Sequence, residues 1–216
     1  MIIAFDGNVF TGKTSLIKAF ATANPVFVID EYSSFLDDNT IEHQVKNGTS
    51  AIFLQEKYFN AEEKRSHILK HNEINLLDRS FVSMAGHIFA LNIVFNIDIR
   101  NWFLQRLQVA VDSQKVLIPD IFCFVKCSQK LIKERVSKNF SRATDSLYYS
   151  DRYLSAIEYF NSAWSKKVDG ITIDTSTLLS VELAKSLIQQ ISGCSQGKCS
   201  PKDVCAFVQD IFNQKF

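Results

Sequence analysis

Short apolar runs of strand length alternate along this chain with longer stretches in which apolar positions recur at helical spacing. Ile2–Phe5 reads as a buried strand. Lys13–Ala23 then carries Leu16, Ile17, Ala19 and Phe20 on one helix face and ends at Asn24-Pro25. Val26–Ile29 reads as a second strand. Residues from about 40 to 71 read as helical, with a break at Asn47-Gly48, and Ile74–Leu77 as a third strand. Two apolar helices follow, Ser80–Phe95 and Ile99–Val111. Pro119-Asp120 introduces a fourth strand, Ile121–Val125, and Leu131–Val136 continues as a helix. Residues 138–150 are polar and read as a loop, Tyr153–Trp164 as a helix and Ile171–Ile173 as a fifth strand. The pattern closes with helices over about 179–192 and 202–213.

Apolar strands separated by helices predict a three-layer α/β fold with a parallel sheet of about five strands, covered on both faces. In such sheets ligands gather at the carboxyl ends of the strands. The candidate positions are therefore Gly7–Ser15, Asp30-Glu31, Asp78-Arg79, Lys126–Ser128 and Asp174.

Composition narrows the partners. With 24 basic against 23 acidic residues the net charge is +1, which gives no footing for nucleic acid or a membrane surface. No apolar run approaches the roughly 20 residues that span a bilayer, and no basic segment precedes the first strand, so the expected location is cytoplasmic. Cys194, Cys199 and Cys205 stand as C-x4-C-x5-C without a nearby fourth ligand, which favours free thiols over zinc. The many Phe are expected to fill the core.

The sharpest chemical signal is Gly7-Asn8-Val9-Phe10-Thr11-Gly12-Lys13-Thr14, which fits G-x-x-x-x-G-K-[ST] between a predicted strand and a predicted helix. Such a loop wraps phosphates with backbone N–H groups and points the next helix's N-terminus at them. Lys13 would reach the β- and γ-phosphates, and the Thr14 hydroxyl, followed by Ser15, would ligate Mg²⁺. A nucleotide such as ATP is the implied ligand.

Around this loop the order of motifs resembles the thymidylate kinase and deoxynucleoside kinase superfamily. Phe5-Asp6-Gly7-Asn8-Val9 with Gly12-Lys13-Thr14 is similar to the E-G-N-I-x-x-G-K-S/T opening of deoxynucleoside kinases. Asp78-Arg79-Ser80, with Ser83 beyond it, resembles their E-R-S and equally the D-R-Y-x-x-S of thymidylate kinases. Pro119-Asp120-Ile121 resembles the P-D-x strand of both, and Tyr153-Leu154 with Trp164 the Y-L…W helix of the first. The resemblance covers most of residues 1–190 and implies strand order 2-3-1-4-5. It implies one kinase-like domain over 1–192, a lid around 136–150, and a helical extension over 193–216. Relatives are often dimers, so a homodimer through the apolar Phe81–Phe95 and Trp102–Val111 segments is one expectation, and their burial as core the other.

The implied chemistry is Mg-dependent transfer of the ATP γ-phosphoryl group to a nucleoside or nucleoside monophosphate. By resemblance Glu31 would be the general base, or would position a monophosphate. Asp78 would hold Mg²⁺ and Arg79 would clamp the acceptor or the transferring group. Arg135 and Arg142 would close over the nucleotide, because planar guanidinium forks suit phosphate. Gln55 would face the base, and Arg65 reads equally as a base contact or a surface charge. Tyr32, Phe35, Tyr58 and Phe59 are either base-pocket walls or core. No proline follows Glu31, Asp30 stands where thymidylate kinases carry arginine, and Asp145 is followed by Ser146 rather than arginine. These departures leave open the acceptor, a kinase of another small molecule, and a nucleotide-binding regulatory module without turnover.

Overall fold

The computed structural model describes residues 1–36, 45–71, 73–139, 150–177, 180–193 and 199–216. Five strands form one parallel sheet: β1 (Ile2–Asp6), β2 (Val26–Ile29), β3 (Ile74–Asp78), β4 (Ile121–Lys126) and β5 (Ile171–Asp174). Their order is β2-β3-β1-β4-β5, as the resemblance implied. The helices are α1 (Lys13–Ala23), α2 (Gly48–Ser66), α3 (Phe81–Phe95), α4 (Arg100–Asp112), α5 (Gln129–Asn139), α6 (Asp151–Val168), α7 (Ser180–Gly193) and α8 (Pro201–Phe212).

Two-residue periodicity sorts the strands' side chains between the faces. Ile3 and Phe5 of β1, with Ile121, Cys123 and Val125 of β4, pack on α1 and α7 through Leu16, Ile17, Phe20 and Leu187. Ala4, Leu77 and Phe122 face the other way, into the larger core built with α3, α4, α6 and α8. Phenylalanines fill much of that core: Phe81 and Phe122 each meet the buried Trp164 ring edge-on at 5.4 Å. The apolar stretch of α3 is core, with Phe81, Ile88, Phe89 and Leu91 fully buried.

Element ends differ from the expectations where side chains cap. The break at Asn47-Gly48 is the start of α2: the Asn47 side chain accepts the Ser50 N–H at 2.9 Å, and Ser50 Oγ accepts the Asn47 N–H in return. That helix ends at Ser66 rather than near 71. A short 3₁₀ turn, Tyr32–Phe35, was not expected and follows Glu31 directly. Helix α5 runs from Gln129 to Asn139, into the segment expected as loop. Cys123, Cys127 and Cys199 are buried free thiols and Cys205 is half-buried.

Candidate active site

The loop between β1 and α1 takes its shape from two glycines. Gly7 has φ 139°, and a Cβ there would run into the Val125 carbonyl of β4, so the chain can leave the sheet only through glycine. Gly12, at φ 94°, caps α1 in the left-handed region and starts the helix whose amides face the loop. Asn8 Nδ2 donates to the Leu154 carbonyl of α6 at 3.1 Å, tying the loop to the neighbouring helix. Lys13 is buried and lies on its own loop, donating to the carbonyls of Asn8 at 2.6 Å and Gly7 at 3.2 Å. Burial first, then the Arg79 guanidinium, pushes Lys13 down to about 7 against the opposing pull of nearby carboxylates.

Beside the loop, β3 ends on Asp78. The Thr14 hydroxyl donates to Asp78 Oδ2 at 2.6 Å, and the buried Asp78 Oδ1 has no hydrogen-bond partner among the described residues. A hydroxyl and a carboxylate with a spare oxygen form a donor set that fits Mg²⁺, a hard ion that keeps waters and phosphate oxygens in its shell. No group of three or more His, Cys, Asp or Glu that could hold a metal occurs among the described residues.

Asp6, at the end of β1, is also buried. It accepts the Ser80 N–H at 2.9 Å, the Ser80 hydroxyl at 2.6 Å and the Ser83 hydroxyl at 2.6 Å. Those bonds anchor the start of α3 to the central strand. Between β3 and α3, Arg79 adopts φ 67°, unusual for a residue with a side chain. From there its Nε donates to Glu31 Oε2 at 3.0 Å, across from the end of β2, and its Nη1 reaches the Gly7 carbonyl at 3.4 Å. Burial pushes Glu31 up, but the Arg79 charge and hydrogen bond, with help from Ser33 and Lys13, hold it below its ordinary value. Glu31 is therefore ionised at neutral pH.

Glu31 and Arg79 open onto a cavity of about 210 Å³ whose walls include Gly7, Asn8 and Val9. Its far side is built by α2, α3 and α6, with Tyr58, Met84, His87, Tyr153 and Asn161. A cavity bounded by a phosphate loop at one end and by polar and aromatic side chains at the other suits a small molecule that receives a phosphoryl group. The deoxynucleoside kinase family model matches residues 3–193. This chain belongs to the deoxynucleoside kinase family.

The kinase is thus one of a family of phosphotransferases that phosphorylate deoxynucleosides from a nucleoside triphosphate. Solved structures share its fold. Deoxyadenosine kinase from M. mycoides with bound dATP superposes with a TM-score of 0.68 over 89% of this chain and 100% of that one, at 16% identity. The same enzyme with bound dCTP gives 0.61 over 90% and 100%, at 14% identity. Thymidylate kinase from Candida albicans gives 0.57 over 88% and 90%, at 13% identity. No curated protein matches the chain.

Several expected residues meet in the kinase's site and others do not. The phosphate loop meets Asp78 through Thr14 and Arg79 through the Gly7 carbonyl, and Arg79 in turn bonds Glu31. Ser15 is exposed on α1. Arg135 projects from α5 and donates to the Phe10 carbonyl of the loop at 2.6 Å. Arg142 lies outside the described residues, as does Cys194. Gln55 is fully buried beside the cavity-lining Leu54, its amide has no partner among the described residues, and it is not itself part of the cavity wall. Tyr32 and Tyr58 line the cavity with rings 5.4 Å apart, Phe59 is core, and Phe35 packs against the core half-buried.

Sequence reasoning missed His87 and Asn161. His87 Nδ1 shares a 2.6 Å hydrogen bond with the Tyr153 hydroxyl, and burial and Arg79 push its pKa down to about 4, so the ring is neutral. Asn161 Nδ2 donates to the Ile157 carbonyl at 2.8 Å, which fixes the amide's orientation. His87 Nε2 and Asn161 Oδ1 are buried without partners among the described residues. His87 lies in the apolar helix α3 and Asn161 among several polar residues of α6, and neither spacing sets the residue apart.

Proposed function

We propose that the chain transfers the γ-phosphoryl group of ATP, in the presence of Mg²⁺, to a sugar hydroxyl of a deoxynucleoside held in the cavity. The observation that carries this reading is the Glu31–Arg79 pair, which lines the cavity together with the start of the phosphate loop. Glu31 takes the proton from the acceptor hydroxyl as its oxygen attacks the γ-phosphorus. Arg79 holds that carboxylate in place and stabilises charge on the transferring group. The loop's N–H groups and Lys13 hold the β- and γ-phosphates, and the incoming phosphate charge draws Lys13 off its own carbonyls. Thr14 and Asp78 would hold Mg²⁺, which would supply charge neutralisation on the phosphate oxygens. Arg135 and Arg142 would supply cations on the donor side, and the lid around 136–150, of which residues 140–149 lie outside the described residues, would exclude water on closing.

Among the described residues lining the cavity, Arg79 alone carries a full positive charge at neutral pH, and Glu31 already faces it. A monophosphate acceptor would bring its charge against Glu31 without a cation of its own. This supports an unphosphorylated nucleoside over a nucleoside monophosphate. His87 Nε2 and Asn161 Oδ1 are the polar cavity groups fitted to a base, Tyr32 and Tyr58 its aromatic walls, and the Gln55 amide lies behind that wall next to Leu54.

A coupled ADP-release assay with Mg-ATP against deoxynucleosides and their monophosphates tests the proposal. Turnover should require a deoxynucleoside and vanish in Lys13→Ala, and Glu31→Gln should lose turnover while binding ATP as before. Turnover on monophosphates alone, or ATP binding with no acceptor, would defeat it.

A further inference from the structure

Arg65 and Glu62 form an ion pair at 2.7 Å with both side chains fully buried, and neither lines the cavity. Burying two charges is costly compared with packing apolar groups of the same size, so a pair kept in a core calls for a function. The contacts of Arg65 indicate one. Its Nη2 donates to the Asp78 carbonyl at 3.0 Å and to the Arg79 carbonyl at 2.7 Å. Its guanidinium carbon lies 4.6 Å from the centre of the Tyr32 ring, in the residue after Glu31. Glu62 secures the guanidinium from behind, and its other oxygen accepts the Leu117 N–H at 3.1 Å.

We propose that Arg65 is a positioning residue, whose buried guanidinium clamps the carbonyls of Asp78 and Arg79 and keeps Arg79 in the left-handed conformation that delivers its side chain to Glu31. A residue with a Cβ holds φ 67° only where its surroundings impose it. Two hydrogen bonds from Nη2 to the successive carbonyls of that turn, with Nη1 pinned to Glu62, provide the restraint. Because the same guanidinium packs on Tyr32, both partners of the Glu31–Arg79 pair are located relative to one buried group. The site is then preorganised before any ligand arrives. The consequence for catalysis rests on the function proposed above, whereas the clamp itself can be read without turnover.

The direct readout is the titration of Glu31, followed by carbon NMR of labelled glutamate and assigned with Glu31→Gln. Glu31 faces Arg79 from the β3–α3 turn, Lys13 from the phosphate loop and the Ser33 hydroxyl from its own turn. If Arg65 holds Arg79 there, removing the clamp frees Arg79 and lets Glu31 rise. The double variant Glu62→Gln with Arg65→Met removes the clamp without leaving one charge buried alone. Its Glu31 midpoint should move up by about one pH unit. Its kcat on deoxynucleosides should fall on the order of a hundredfold, with the KM for the nucleotide donor changing less than about threefold. A folded double variant with the wild-type midpoint would overturn the proposal. Should it fail to fold, Arg65→Lys, which keeps the charge beside Glu62 and loses the fork, is read by the same titration, and an unchanged midpoint there is equally fatal. A shifted midpoint in the variant, beside a wild type that phosphorylates no deoxynucleoside, would support the clamp and refute the catalytic role of Glu31.

Discussion

Lys13 is where the chain's most specific motif meets its least favourable environment. Its ammonium is buried beside a guanidinium, and its pKa falls from 10.5 to about 7. Triphosphate oxygens would favour the charged form and restore a high pKa. The sign follows directly: between about pH 7 and 10 the free protein holds Lys13 mostly neutral and the complex holds it protonated, so nucleotide binding takes up a proton. Below that window both states are protonated and uptake vanishes. Calorimetric titration in buffers of different ionisation heat should reveal the uptake at pH 8 and lose it in Lys13→Met. A second residue-level prediction concerns the cavity's far wall. Asn161→Leu and His87→Phe each delete a buried atom that no described group pairs with. Steady-state kinetics should show KM for the nucleoside raised about tenfold and KM for the donor nearly unchanged, because a site built to hydrogen-bond a ligand loses that bond selectively.

At the scale of elements, the junctions after the strands matter more than the elements themselves. Asp6 joins β1 to α3 through three hydrogen bonds from Ser80 and Ser83, all at 2.9 Å or less. Asp6→Ala would leave the buried Ser80 N–H and two hydroxyls without their acceptor. It should destabilise the fold by about 3 kcal/mol, since bonds to a charged acceptor are stronger than neutral ones. Urea unfolding measures that, and Asp6→Asn, which keeps an acceptor, should lose less. Helix α1 and strand β2 were legible to the residue, because apolar period and Pro25 are local signals. The start of α2 was half-legible: Asn47-Gly48 marked a discontinuity, but only the reciprocal Asn47–Ser50 bonds identify it as a cap. The turn of Tyr32–Phe35 was not read, because Ser33 and Ser34 suggest a turn without fixing its type or length. Arg65 on α2 was ambiguous for a related reason. Helical spacing says which residues share a face, and cannot say that the face meets a charged partner and two strand-end carbonyls.

For the whole molecule, the C-terminal helix carries a consequence of its own. The family match ends at residue 193, yet α8 lies against α4 and α6 with Val204, Val208, Ile211 and Phe212 buried in the main core. Arg100 donates to the Phe212 carbonyl at 2.8 Å, and Lys167 meets Asp210 at 2.8 Å. Four such side chains contribute roughly 1.5–3 kcal/mol each, a sum comparable with the entire stability of a typical domain. A chain ending at residue 198 should therefore fail to give a cooperative thermal transition. Retention of the full-length melting temperature would show that α8 is dispensable. By itself, the sequence determined the alternation of strands and helices, the phosphate loop and the layered architecture they require. Those depend on period and spacing within contiguous residues, which backbone geometry translates directly. Only the tertiary structure decided that Glu31 meets Arg79, that Asp6 holds the start of α3, that His87 and Asn161 share one cavity, and that Arg65 reaches the turn after β3. Each joins residues distant in the chain, and their meeting depends on which strands lie side by side and how the helices pack across them.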